Sequence, residues 1–184
     1  MDPLIDPGEY AALASCTYLN QASLGLIPRT SLEASVRFLT EVAQHGNLRL
    51  SDQAEARVLD GLRTAAAELL GAPVASVAVV GGASEGLGQL AALLSSAGGE
   101  VVLVASDFPS VTYPWLAARE RLGMRIRWVR DTPAQDLTYS LGDAISEQTT
   151  VVCVSAVQFA TGSQVDVGAL VARARDVGAG WWLM

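Results

Sequence analysis

The sequence predicts an α/β fold, in which a mainly parallel sheet with flanking helices follows an N-terminal helical segment. After Pro73, short apolar runs alternate with segments of helical periodicity, which is typical of strand–helix–strand units in a parallel sheet. Two of the runs, VVLVA at 101–105 and TVVCVS at 150–155, are continuously apolar, as strands buried on both faces are. These patterns divide the chain into a helical segment at 1–72 and an α/β region at 73–184.

Composition and charge narrow the class of protein. The 184 residues are 51% hydrophobic and 6% aromatic, which suits a packed domain rather than a disordered one. A net charge of -7 without a basic cluster argues against a nucleic-acid partner. We find no signal peptide and no apolar run long enough to span a membrane, so we expect a cytoplasmic protein without a membrane partner.

The two cysteines do not indicate a metal site. Cys16 and Cys153 are far apart and lack the spacing of metal ligands. Cys153 lies in a predicted buried strand, so we expect a reduced, packed thiol. The single histidine, His45, precedes a glycine and is interpreted as the last residue of a helix rather than a catalyst.

Two helices are predicted in the first third of the chain. The first, at 28–44, starts with a capping box of Thr30 and Glu33, and the second, at 51–71, has Asp52 and Glu55 in the same arrangement. Each has an apolar face that we expect to be buried, formed by Val36, Leu39 and Val42 in the first helix and by Val58, Leu62, Leu69 and Leu70 in the second.

Nine further elements are predicted after Pro73. The strands are expected at 76–80, 100–105, 125–130, 150–155 and from 181, and the helices at 84–96, 111–122, 139–146 and 166–177. The last run, GAGWWLM, is interpreted either as the beginning of a strand in a larger domain or as an apolar edge, Trp181–Trp182, that pairs with a partner.

The turn between the predicted strand at 76–80 and its helix is rich in small residues. A turn through Gly81, Gly82, Ala83 and Ser84 leaves free N–H groups at the start of the helix, which favour an anion. One interpretation is close packing of helix and sheet. A second is a monophosphate held by the backbone of 83–85 and the Ser84 hydroxyl, with an aromatic plane nearby.

A dinucleotide site is the third interpretation of the same turn. The segment GLGQLA from Gly86 fits the glycine fingerprint, and Asp107 follows about 20 residues later as a candidate ribose ligand. The glycines come several residues after the expected end of the strand, however, which disfavours this interpretation.

Every basic residue of the chain is arginine. The sequence has 12 arginines and no lysine. This excludes a P-loop, which needs a lysine after its glycines, and any Schiff base on a lysine of this chain.

Four segments in order resemble one family. They are YLNQASLGLIPR at 18–29, GGASEGLGQLA at 81–91, SDFPSVTYPW at 106–115 and VSAVQFATGSQVDVGAL at 154–170. They resemble the N-terminal half of class V aminotransferase-like enzymes, fold-type I pyridoxal-phosphate enzymes that include cysteine desulfurases. The resemblance implies an incomplete large domain, pyridoxal phosphate as cofactor, a small-molecule amino-acid substrate, and a homodimer or a complementing chain.

The resemblance also assigns roles to individual residues. By resemblance, Ala83, Ser84 and Glu85 bind the phosphate of the cofactor. Phe108 corresponds to the residue that stacks on the pyridine ring, which is histidine in many relatives. Gln158 is the candidate for hydrogen bonding to the phenolic oxygen of the cofactor, while Asn20 and Ser23 fall near the substrate; a simple capping turn is the alternative for those two.

The family's chemistry needs an aspartate on the pyridinium nitrogen and a Schiff-base lysine. By resemblance, the aspartate falls at or just past Met184 and the lysine beyond it. Covalent attachment of the cofactor to a lysine is therefore impossible in this chain, no catalytic residue is assigned, and we expect the chain alone to be inactive. The alternatives are a non-catalytic binding or assembly module that uses the C-terminal strand, and an NAD-type nucleotide binder.

Overall fold

The computed structural model describes residues 6–183 except 22, 96–97 and 180. The chain divides into two compact units, Met1–Val79 and Val80–Met184. The division at 72 and 73 into a helical segment and a cofactor-binding domain stays a prediction.

The described part of the first unit is helical. Short 3₁₀ turns span Pro7–Glu9, Ala11–Ala14 and Val74–Ser76. The α-helices are α1 (Arg29–His45), α2 (Asp52–Arg57) and α3 (Asp60–Leu70). The second predicted helix is therefore two helices, because the chain turns at Val58, whose N–H bonds back to Glu55 in a tighter 3₁₀ manner at 3.3 Å.

Both predicted capping boxes are wrong in detail. Pro28 holds the N-cap position of α1, and the N–H of Thr30 is bonded instead by the carboxylate of Glu9 at 3.0 Å. Glu9 also pairs with Arg29 at 3.0 Å. In α2 the cap is Ser51, whose hydroxyl accepts from Ala54 N–H. The caps differ because a carboxylate from far along the chain, or a hydroxyl one residue earlier, reaches the free N–H groups better.

The apolar faces predicted to be buried in these helices are exposed in the described structure. Val36, Leu39, Val42, Val58, Leu62, Leu69 and Leu70 are all largely accessible. Within the described helices α1 to α3, the buried residue is Ala67. Periodicity identified the apolar side of each helix, but burial also needs a neighbouring element to cover it.

The second unit alternates helices and strands. Its elements are α4 (Ala83–Ser95), β1 (Glu100–Val104), α5 (Pro109–Leu122), β2 (Arg125–Val129), α6 (Leu137–Ala144), β3 (Thr149–Cys153), α7 (Val167–Asp176) and β4 (Trp181–Leu183). All four strands are parallel, in the order β2-β1-β3-β4. The predicted α/β class with a parallel sheet is confirmed. The predicted strand at 76–80 is wrong, since this run finds no neighbouring strand and begins in a 3₁₀ turn.

Helices cover both faces of this sheet. Successive residues of a strand point to opposite faces, so Val101 and Leu103 of β1 pack with Trp115 of α5, while Val102 and Val104 pack on the other face. The helices α4 and α5 contribute to the first cluster, and α6 and α7 to the second. The expected burial of β1 and β3 on both faces is confirmed, and it places the following loops together at the carboxyl edge of the sheet.

None of the helices in the described part of the chain is both long and apolar enough to cross a membrane.

Candidate functional site

The glycine-rich turn leads directly into α4, which begins at Ala83. The first N–H groups of a helix have no acceptor within the helix, so those of Ala83, Ser84 and Glu85 are available to a ligand. The Glu85 carboxylate folds back and accepts from Gly81 N–H at 2.9 Å. A Cβ at Gly81 would lie 2.6 Å from the same carboxylate, so a larger residue there would displace the end of the Glu85 side chain.

A pair of serines joins the N-termini of two helices. The hydroxyls of Ser84, in α4, and Ser110, in α5, lie 2.8 Å apart. They line a cavity of about 260 Å³ together with Pro109, Tyr113 and Pro114. The sequence interpretation identified Ser84 but missed Ser110, although its place two residues after Phe108, at the start of a helix, was a usable signal.

The aromatic residue at this edge is accessible. Phe108 is the N-cap residue of α5 and is 47% exposed. Its ring meets that of Phe159 edge to face, with centroids 5.3 Å apart and planes at 90°. Phe159 is 61% exposed and was missed in the sequence interpretation, although it directly follows the candidate Gln158, because local spacing does not show that its ring meets Phe108.

Asp107, the residue before Phe108, is buried, and both of its carboxylate oxygens accept hydrogen bonds. One carboxylate oxygen accepts from Phe108 N–H and the Ser155 hydroxyl, both at 2.7 Å. The other accepts from Ser155 N–H at 2.8 Å and from Gln158 Nε2 at 3.1 Å. A carboxylate so occupied is a poor ribose ligand, which argues against the dinucleotide interpretation.

Gln158 is also buried, at 2% exposure. Its Nε2 donates to Asp107 and to the carbonyl oxygen of Ser155, at 3.1 and 3.2 Å. Its Oε1 is buried without a partner among the described residues. The Asp107 carboxylate and the Ser155 carbonyl thus fix the orientation of the Gln158 amide. The atom left without a partner is Oε1, which can accept a hydrogen bond but cannot donate one.

A family model settles the relationship of the chain to known proteins. The model described as aminotransferase class-V matches residues 17–183. The chain belongs to the class V aminotransferase family. The resemblance stated from four sequence segments is thereby confirmed.

Individual relatives in this family are longer than the chain. A "Probable cysteine desulfurase" from Streptomyces coelicolor is 30% identical over 88% of this chain and 42% of its own length. Another, from Aeropyrum pernix, is 34% identical over 88% of this chain and 41% of its own length. The chain thus spans about two-fifths of these class V relatives.

Solved structures show the same fold. A C-DES variant with glycine covalently linked to its PLP cofactor superposes with a TM-score of 0.77 at 20% identity, over 97% of this chain and 47% of that one. The fold expected for part of a fold-type I large domain is confirmed.

Two predicted site residues of this class V chain, Asn20 and Ser23, lie in the first compact unit. Both are exposed, and Ser23 N–H donates to the carbonyl oxygen of Asn20 at 3.3 Å, which is a simple turn. The remaining candidates, Ala83, Ser84, Glu85, Phe108 and Gln158, lie in the second unit at the carboxyl edge of the sheet.

Cys153 is not available as a nucleophile in this structure. It is a free thiol buried in β3. Burial is the main reason that its pKa is raised to about 11, so the thiol stays protonated at neutral pH.

Proposed function

We propose that this chain binds the phosphate and the ring of pyridoxal phosphate at the carboxyl edge of its sheet, as part of a class V enzyme that acts on an amino acid. The observation that supports this most strongly is the Ser84–Ser110 hydroxyl pair at two helix N-termini, 2.8 Å apart, with the accessible ring of Phe108 beside it. A phosphorylated heteroaromatic ligand needs both features together.

The phosphate end fits this donor set. The N–H groups of Ala83, Ser84 and Glu85 point along the axis of α4, where the helix dipole favours an anion. The two hydroxyls share one hydrogen bond, so one hydroxyl hydrogen stays free to donate to a phosphate oxygen. The Glu85 carboxylate is engaged with Gly81 and Gln89, which leaves its backbone N–H as the binding group.

The ring end fits an aromatic stack. Phe108 is about half exposed, and a phenyl ring can stack on a pyridine ring without exchanging protons. The position therefore orients the ring, and any proton transfer must come from another residue. Gln158 stays the candidate for the phenolic oxygen of the cofactor, but in this structure its Nε2 is committed to Asp107 and Ser155 and its Oε1 is buried, so contact with the ligand requires the amide to turn.

The cofactor, when bound, supplies an electron sink for bonds to the α-carbon of an amino acid. This chain has no lysine, so its side chains cannot form the Schiff base. We propose that catalysis needs groups beyond those described, with Asn20 and Ser23 near the substrate and a homodimer or a complementing chain as the partner. Two "Probable cysteine desulfurase" relatives favour a desulfurase-like reaction on a small amino acid.

The binding step can be tested without catalysis. We would measure equilibrium dialysis of pyridoxal 5′-phosphate, pyridoxal and inorganic phosphate against this chain. Ser84→Ala should weaken binding of the phosphorylated ligand at least about tenfold, as expected for one hydrogen bond to a charged group, and leave pyridoxal unchanged. Ser35→Ala, which removes a hydroxyl that bonds within α1, is the control. Equal affinity of the wild type for pyridoxal and its phosphate would contradict the proposal.

A second candidate function is assembly through β4. This strand is last in the sheet order, and within the described part of the sheet its outer edge is unpaired. Such an edge can add a strand from another chain. Light scattering across a concentration range tests this: a defined dimer or larger species supports it, and a monomer at every concentration contradicts it.

A further inference from the structure

We propose that Asp131 is a positioning residue that holds Phe159 against Phe108, so that the two rings form an aromatic corner for the ring of the ligand. This inference rests on the proposed function, because it extends the same ring site. To that site it adds Phe159 as a second aromatic contact for the ligand. It also adds Asp131, which would not touch the ligand but would hold Phe159 in place.

Phe159 is carried by a short hairpin at residues 157–164. Val157 and Gln164 form an antiparallel bridge. Gln158 N–H donates to Ser163 O, and Gly162 N–H donates back to Gln158 O, both at 2.9 Å. Gly162 has a φ of +73°, which closes the turn and which glycine adopts without strain. The hairpin therefore has a defined shape, and Phe159 keeps a fixed place on it.

Two carboxylates fasten this hairpin at opposite ends. At its base, Asp107 binds Ser155 and Gln158. At its tip, Asp131 accepts from the hydroxyls of Thr161 and Ser163, the latter at 3.0 Å. Ser163 N–H also donates to Thr161 Oγ1 directly, at 3.2 Å. The bonds to Asp131 thus give the tip of the hairpin a hydrogen-bonded attachment in addition to the one at its base.

The topology explains why this link positions an aromatic ring. Asp131 follows β2, and the hairpin follows β3, while β1 lies between these two strands in the sheet. The link from hairpin to Asp131 must therefore cross the carboxyl end of β1, where Asp107 and Phe108 lie. It draws Phe159 over Phe108, in agreement with the 5.3 Å separation of their rings.

The exposure of the pair indicates a ligand surface. Both rings are about half exposed or more, although they contact each other. Aromatic rings bury large apolar areas when they are covered, so two accessible rings at right angles offer two adjacent walls to a planar molecule. A ring stacked on Phe108 would be bounded on a second side by Phe159.

The test compares Asp131→Ala with Asp131→Asn, which keeps one oxygen acceptor for a hydroxyl. The chain has three phenylalanines, so the aromatic NMR signals of Phe108 and Phe159 can be assigned by substitution. In the wild type, the edge-to-face contact should shift ring protons upfield. Asp131→Ala should abolish that shift and weaken pyridoxal 5′-phosphate binding about fivefold, equal to the loss of one aromatic contact; Asp131→Asn should retain most of both.

Two controls separate positioning from general destabilisation. Asp143→Ala removes the same charge from an exposed site on α6 and should change neither readout. Phe159→Leu should weaken binding as Asp131→Ala does, and combining the two should add little, because both act through one contact. If Asp131→Ala does not fold, the Thr161→Val and Ser163→Ala double variant removes the same two links and replaces it in the comparison.

The outcomes are distinct. If wild-type chain does not bind pyridoxal 5′-phosphate, the proposed function fails, and the upfield shift and its loss in Asp131→Ala still decide whether Asp131 positions Phe159. If wild type binds the ligand but Asp131→Ala keeps both its affinity and its phenylalanine shifts, the inference about Asp131 is overturned.

Discussion

Asp107 and Ser155 are joined by two hydrogen bonds, one from the Ser155 N–H at 2.8 Å and one from its hydroxyl at 2.7 Å. They connect the end of β1 to the end of β3, so the carboxyl edge of the sheet is held together by a buried acid. Each oxygen of that acid accepts twice, counting the bonds from Phe108 and Gln158.

Asp107→Asn should lower the free energy of unfolding by about 2–3 kcal/mol. An asparagine has one oxygen, and its NH₂ group would face the N–H and O–H donors that now bind the carboxylate, so at least one buried donor loses its acceptor. Ser155→Ala, which removes one donor, should cost about 1 kcal/mol. Urea unfolding measures both, with exposed Asp143→Asn as the control. A neutral Asp107→Asn would show that the cluster adds no stability.

Cys153 should be unreactive in the folded chain. Its thiol is buried and its pKa is raised to about 11, so at pH near 8 it is neither accessible nor ionised. Cys16 is exposed and should react quickly with a thiol reagent such as Ellman's reagent. We expect one fast thiol in the native chain, two in denaturant, and none fast in Cys16→Ser. A fast thiol in native Cys16→Ser would contradict the burial of Cys153.

Glu9 should stabilise the first unit in a pH-dependent manner. The Thr30 N–H, and after it Arg29, hold the pKa of the Glu9 carboxyl below its ordinary value. Because the pKa is lower in the folded chain, the stabilisation is complete above the ordinary value and is lost as pH falls through the lowered one. Glu9→Gln should therefore reduce the thermal midpoint at neutral pH, and this reduction should become smaller at about pH 3.

The control for that measurement is Glu68→Gln on the exposed surface of α3. It should change the midpoint little at either pH. A Glu9→Gln effect that stays the same at both pH values would mean that charge on Glu9 is not the cause.

Gly99 should tolerate alanine less well than Gly123 does. Both have positive φ, +99° and +72°, so both substitutions strain the backbone, by about 1 kcal/mol. At Gly123 a Cβ meets open space, whereas at Gly99 it would overlap Thr150 Oγ1. We expect Gly99→Ala to cost at least about 1 kcal/mol more in the free energy of unfolding. In a Thr150→Ala background, Gly99→Ala should cost less free energy of unfolding than it does in the wild type. An unchanged cost would show that the loss comes from the backbone and not from the overlap with Thr150.

Local pattern predicted most elements of the second unit to within a few residues. The runs around Val102 and Val152 are apolar on every residue, and such runs lower their free energy only by burial on both faces of a sheet. The turn at Gly81 and Gly82 likewise predicted the start of α4 and the placement of Ser84 at its first turn. The predicted roles of the site residues in cofactor binding stay predictions.

The same patterns failed where a partner had to be supplied from elsewhere in the chain. The β-branched run at 76–80 has a strand-like composition, but it has no neighbouring strand in the sheet with which to form backbone hydrogen bonds. The faces of α1 and α3 are apolar but exposed in the described structure. Glu9 bonds the Thr30 N–H in place of the expected capping box. The sequence pattern did not predict this bond, because Glu9 lies 21 residues away along the chain and local spacing carries no information at that distance.

The sequence by itself determined the α/β class, the order of its helices and strands after Ala83, the family, and the absence of a Schiff-base lysine. These depend on composition, on periodicity and on short motifs, all of which are local. The tertiary structure alone decided that Ser110 meets Ser84, that Phe159 meets Phe108, and that Asp131 fastens the hairpin at 157–164. Those contacts exist because parallel strands bring distant loops to one edge, and the strand order, not the spacing of residues, chooses which loops are neighbours.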